Sequence, residues 1–128
     1  HPTDEARKMF AAAPDITLVP DAPSADEILS NGRVLVNPIF SGSGVNVKTI
    51  EMLRYDAPIV TTTTGAQGFP TSLQGQFVVR NDPLGFAEAI AAALNNLQLP
   101  PGRSEARALF GEEGLKAQMA SYARAAGI

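Results

Sequence analysis

Four short apolar runs decide most of what this chain can fold into: ITLV at Ile16–Val19, VLV at Val34–Val36, PIVTT at Pro58–Thr62 and FVV at Phe77–Val79. Each is short and closed off by turn-forming residues, so each reads as a strand. The runs are continuous rather than alternating, and a strand apolar on both sides is covered on both sides. The segments between them have helical patterning. Asp4–Ala13 is acidic first and Ala-rich afterwards, with Met9 and Phe10 expected toward the core and Pro14 as the stop. Ser24 followed by Glu27 has the spacing of a capping box. A helix is expected over about Val45–Tyr55. Another has Asp82 as N-cap and Pro83 at its first position, with Phe86, Ile90, Leu94 and Leu97 as its apolar stripe. Leu115, Met119, Tyr122 and Ala126 give a last amphipathic helix. Strands alternating with helices predict an α/β fold, a parallel sheet flanked by helices on both sides.

At 128 residues the chain is sized for one domain with one core. A net charge of −3 speaks against a general nucleic-acid binder. The absence of Cys rules out a disulfide framework, a thiolate metal site and a Cys nucleophile. No apolar run approaches the roughly 18 residues a membrane span needs. A cytoplasmic protein is expected, with peripheral membrane association of a longer parent as the variant reading. His1 stands where a start Met would be, so a cut piece of a longer protein is expected.

Sheets of this kind bind ligands at the carboxyl ends of their strands. The loop NPIFSGSG follows the Val34–Val36 run and precedes a helix. Gly42 and Gly44 allow a positive φ and close backbone approach. Free N–H groups at the start of a helix suit a phosphate. Lys48 lies in the first turns of that helix, and Lys48, Glu51 and Tyr55 share a face, while Val47, Ile50, Met52 and Leu53 are expected against the sheet. An ionised Glu accepts from neighbouring hydroxyls. Phosphate on the backbone and Lys48, hydroxyls on Glu51, describes a nucleotide or sugar phosphate. An ordinary strand-to-helix turn, with Lys48 and Glu51 as a surface pair worth roughly 0.3–0.5 kcal/mol, is the competing account.

The run PIFSGSGVNVKTIEMLRYDAPIVTTTTGAQGF, Pro38–Phe69, resembles the donor-site signature of GT-B glycosyltransferases of the retaining, family-four-like group, the glycosyl transferases group 1. Pro, Gly-Ser-Gly, Lys, Glu, a Pro-led strand and Gly-x-x-Gly stand at matching spacing, and both flanks are similar. The resemblance implies a Rossmann-like C-terminal GT-B domain, cut short at its N-terminus and lacking the acceptor-binding N-terminal domain. It implies a nucleotide-diphosphate sugar as donor and no metal or other cofactor. Lys48 and Glu51 are then the expected catalytic residues. Gly42, Ser43, Gly44 and Val45 with Lys48 would hold the diphosphate, and Glu51 the ribose. Val19, Pro20 and Asp21 would contact the base, and Thr62, Thr63 and Gly65 would line the far wall. The intact protein would transfer a sugar to an acceptor hydroxyl, whereas this piece alone would at most bind donor. A non-catalytic nucleotide or sugar-phosphate binding module is the alternative.

Ser43 stands where many relatives carry the first of two glutamates, and Phe40 where a basic residue is frequent. Asp56 replaces a helix-ending Gly, and as one of the few residues tolerant of the left-handed region it is expected to keep that turn. Gln67 stands where Glu is common. No Asp-x-Asp metal motif occurs, and His1 is the one histidine, so Ser41, Ser43 and Ser72 have no triad partner. A dinucleotide oxidoreductase would need G-x-G-x-x-G with an acidic residue about 20 positions on, and the glycine loop does not carry that pattern.

Overall fold

The computed structural model describes residues 3–109, 120–121, 124–125 and 127. The expected C-terminal amphipathic helix falls largely outside these residues. Three strands form one parallel sheet in the order β1 (Leu35–Asn37), β2 (Ile59–Thr61), β3 (Phe77–Val79). The connections carry α3 (Val47–Met52) between β1 and β2, and α4 (Thr63–Ala66) with a 3-10 turn (Thr71–Gln76) between β2 and β3. Ahead of the sheet lie α1 (Asp4–Ala11) and α2 (Asp26–Ser30), and after it α5 (Pro83–Asn95) and α6 (Arg103–Leu109).

The strand period divides the core in two. Leu35, Ile59 and Phe77 are in register on one face. They pack with Ile50, Met52 and Leu53 of the α3 segment, with Ala66, Phe69 and Leu73, and with Ala106 of α6. The Phe69 and Phe77 rings lie 5.0 Å apart at 58°, a tilted geometry that suits their quadrupoles. On the opposite face Val60 packs with Val34, Val78 and the Phe86, Ala89 and Ile90 row of α5. The α/β class with both sheet faces covered therefore holds, and β3 and the Asp82-capped start of α5 lie where the sequence puts them, but α5 ends at Asn95, and Leu94 and Leu97, each 40 % exposed, do not extend its buried stripe.

Several expectations fail for physical reasons. Ile16–Val19 is not a strand; Ile16 and Val19 are about half exposed, and among the described residues the run pairs with none of the three strands. A strand without a ladder partner has nowhere to send its backbone hydrogen bonds. Met9 is 62 % exposed, and α1 buries no residue against the core. The Ser24–Glu27 box does not form: Ser24 Oγ accepts from the Asp26 N–H instead, and α2 starts at Asp26. Asp56 is not left-handed. Among the described residues Asp21 is the non-glycine with positive φ (53°), and α3 ends in tight i→i+3 bonds. The Asp56 carboxylate instead accepts from Arg107 at 2.7 Å. Val47 is also exposed rather than turned to the sheet, while Ile50, Met52 and Leu53 are buried as expected.

Candidate functional site

Because the strands are parallel, their carboxyl ends gather three loops on one edge of the sheet. The first is the glycine loop. Gly42 and Gly44 have φ of 138° and 75°, the region only glycine enters freely, and a Cβ added at either would meet no heavy atom within 4 Å beyond its chain neighbours. The backbone there is strained for other residues yet open, which is what close approach of a ligand requires.

The loop is held from beneath and from the side. Asn37, at the end of β1 and buried, donates through Nδ2 to Asn46 Oδ1 (3.1 Å) and Thr49 Oγ1 (3.0 Å). Asn46 is the N-cap of α3, accepting from the Lys48 and Thr49 N–H groups. Those two N–H groups are thereby satisfied, so donors for an anion would be the loop amides and the Lys48 ammonium. The second loop lies alongside. Gln67 Nε2 donates to Gly44 O (3.1 Å), and Gly68, with φ of 83°, sits where a Cβ would come within 2.6 Å of Val45 Cγ2. Thr62 Oγ1 donates to Ile39 O and accepts from the Gly65 N–H, tying the turn after β2 to the start of the glycine loop. The third loop joins through Asn81, which accepts from the Thr63 N–H (2.9 Å) and donates to Thr63 Oγ1 (2.8 Å).

Beside this cluster an open cleft of about 390 Å³ runs between α2 and α3, lined by Ser24, Asp26, Leu29, Glu51, Arg54 and Tyr55. Tyr55 donates to Asp26 Oδ1 at 2.5 Å across it. That bond to a carboxylate raises the Tyr55 pKa, with burial adding to it. A raised phenol pKa means the neutral Tyr55 stabilises the fold. The contribution is complete below the unfolded value of 10.0 and is lost as pH climbs through the higher folded value. Tyr55→Phe is therefore expected to flatten the alkaline end of a stability-against-pH profile measured by urea unfolding.

The profile of the glycosyl transferases group 1 family matches residues 2–96, spanning all three loops and the cleft. This chain belongs to glycosyl transferases group 1. It is also 30 % identical over 79 residues to an uncharacterized 44.6 kDa protein in cps region of Klebsiella pneumoniae, an alignment covering 59 % of this chain and 20 % of that relative's length. No solved structure matches it significantly.

Set against this glycosyltransferase-family domain, the expected site residues divide. Gly42, Ser43, Gly44 and Lys48 are exposed at the strand ends, with Val45 half-buried as the loop's anchor in the core. Glu51 lines the cleft but Lys48 does not, and no hydrogen bond or ion pair joins the two among the described residues. Thr62 is fully buried and Gly65 buried, with the Thr62 hydroxyl committed to Ile39 O and the Gly65 N–H, whereas Thr63 is exposed. Val19, Pro20 and Asp21 form an exposed turn just ahead of the cleft-lining Ser24. Phe40 is 62 % exposed. Sequence reasoning misses Asn37, Asn46, Gln67 and Asn81, though Asn directly before an apolar helical run is an N-cap signal that marks Asn46. Among the described residues no cluster of His, Cys, Asp or Glu could hold a metal ion, and no helix is long and apolar enough to cross a membrane.

Proposed function

We propose that this chain is the donor-binding part of a glycosyltransferase acting on a nucleotide-diphosphate sugar. The observation that carries the reading is the pinned glycine loop: two open, positive-φ glycines beside Lys48, which has no carboxylate partner among the described residues. The diphosphate would lie over the amides of Gly42, Ser43 and Gly44 with Lys48 alongside. Glu51 would accept from the ribose hydroxyls at the mouth of the cleft, with the base toward Val19–Asp21. In transfer, the bond from the sugar's anomeric carbon to the diphosphate oxygen breaks and a bond to an acceptor hydroxyl oxygen forms, the hydroxyl proton passing to the departing diphosphate or to water. The electron pair stays on the diphosphate, and fixed loop amides plus Lys48 stabilise the charge that develops there. The chain spans about a fifth of its relative's length, so the reading gives this chain donor binding and leaves transfer as a proposal for the whole protein.

Calorimetric titration with UDP, GDP and ADP tests this. One of the three is expected to bind saturably. A hydrogen bond to a charged group contributes about 1.5–3 kcal/mol, so Lys48→Ala should weaken binding about tenfold or more. Glu51→Ala should weaken it similarly, and should also weaken binding of the free nucleoside. Affinities unmoved by both substitutions would put the nucleotide elsewhere.

A further inference from the structure

Asn46 stands where the elements of the loop cluster meet. Its Oδ1 accepts from three donors: Asn37 Nδ2 at 3.1 Å, the Lys48 N–H at 3.0 Å and the Thr49 N–H at 3.4 Å. An NH2 group could accept none of these bonds, so they fix which end of the amide faces inward. Two of the three partners are themselves immobilised. Asn37 is 8 % exposed and Thr49 fully buried, and they bond to each other at 3.0 Å. Thr61 Oγ1 donates to Asn37 O at 2.9 Å, which carries the network on to β2. Asn46 is thus set by the sheet, not by solvent.

The helix it caps has six residues, so few peptide dipoles add up there. Positive charge at this edge must come chiefly from Lys48, and a residue that binds the Lys48 N–H fixes where that side chain begins. A carboxylate would cap equally well, since Asn and Asp are comparable N-caps. It would also place a negative charge one bond network away from the loop amides.

We infer that Asn46 is the positioning residue of the proposed diphosphate site, and that an uncharged cap is required there: it holds Lys48 and the glycine loop in register without repelling the bound anion. The inference rests on the donor-binding reading above. Its test is Asn46→Asp and Asn46→Ser, compared with wild type by thermal unfolding and by titration with the nucleoside diphosphate that wild type binds and its uncharged nucleoside. The Asp variant is expected to melt at or above the wild-type temperature. It should bind the diphosphate about tenfold more weakly at low salt, with the deficit shrinking as salt is added, and bind the nucleoside unchanged. The Ser variant, uncharged and also a good cap, should stay within about threefold of wild type for both. Equal diphosphate binding by the Asp variant and wild type overturns the inference alone and leaves the donor reading standing. Equal weakening in the Ser and Asp variants also overturns it, because charge would then be irrelevant. Wild-type protein that binds no nucleoside diphosphate overturns the donor reading and the inference together.

Discussion

Gly65→Ala is expected to destabilise the domain by about 3 kcal/mol, at the upper end of what overpacking costs. The added methyl would lie 1.9 Å from Thr61 Oγ1 and 3.2 Å from Thr61 Cβ. Thr61 has no room to yield. It is fully buried, it is stiff at χ1, and its hydroxyl is committed to Asn37 O. The remaining route is for α4 to lift from β2. That would pull Thr62 off its bonds to Ile39 O and the Gly65 N–H, loosening the tie between the second loop and the glycine loop. The midpoint of thermal unfolding should fall by roughly 10 °C, and nucleotide binding should weaken even where the domain is still folded. In a Thr61→Ala background the same substitution should cost much less, because the atom it strikes is gone; the two changes would then be clearly non-additive. Additive costs in the urea unfolding of the four proteins would place the strain somewhere other than the Thr61 contact.

The sequence reveals some of these duties and hides others. Gly65 is expected there as a wall of the donor site, and the structure gives it a packing duty that no local pattern announces: its obstacle is four residues away, across a change from strand to helix. Thr62 is similar, its acceptor lying 23 positions back in the chain. The features that are legible are those whose cause is local. Asp82-Pro83 fixes the start of α5 because the cap and the missing Pro N–H act within one turn. Gly42 and Gly44 take positive φ because nothing else does so readily. Ile16–Val19 fails because a strand exists only beside another strand, and apolar content does not supply one. For Lys48 and Glu51, helical spacing correctly puts them on the same helix, but which neighbour covers that face depends on where α2 comes to rest. It comes to rest so that Glu51 lines the cleft and Lys48 does not.

Arg103→Ala is expected to cost about 3–4 kcal/mol, though its side chain is far along the chain from every candidate ligand contact. Arg103 is 4 % exposed, and its guanidinium donates to Gln76 Oε1 (2.9 Å), Tyr55 O (2.7 Å) and Ala57 O (2.9 Å). Burial pushes its pKa down, with repulsion from Arg107 adding to this, but an arginine remains a cation. Tyr55 O and Ala57 O lie just beyond α3, and Arg107 adds a bond to Leu53 O. Two arginines of α6 thus collect the free carbonyls where α3 ends, the end at which a cation is favourable. Deletion to Ala leaves a cavity and orphaned carbonyls in a dry place, each orphan costing about 1–3 kcal/mol. Arg103→Met, which keeps the length of the stem, separates the two effects and should cost about 2 kcal/mol. A hydrophobic replacement is not fully penalised, because Nη2 of the native side chain is itself buried without a partner among the described residues. Since α3 carries both Lys48 and Glu51, the same substitutions should weaken nucleotide binding in proportion to how far the helix shifts. Urea unfolding in which Arg103→Met matches wild type would show that packing of the stem, not hydrogen bonding of the head, docks α6 on α3.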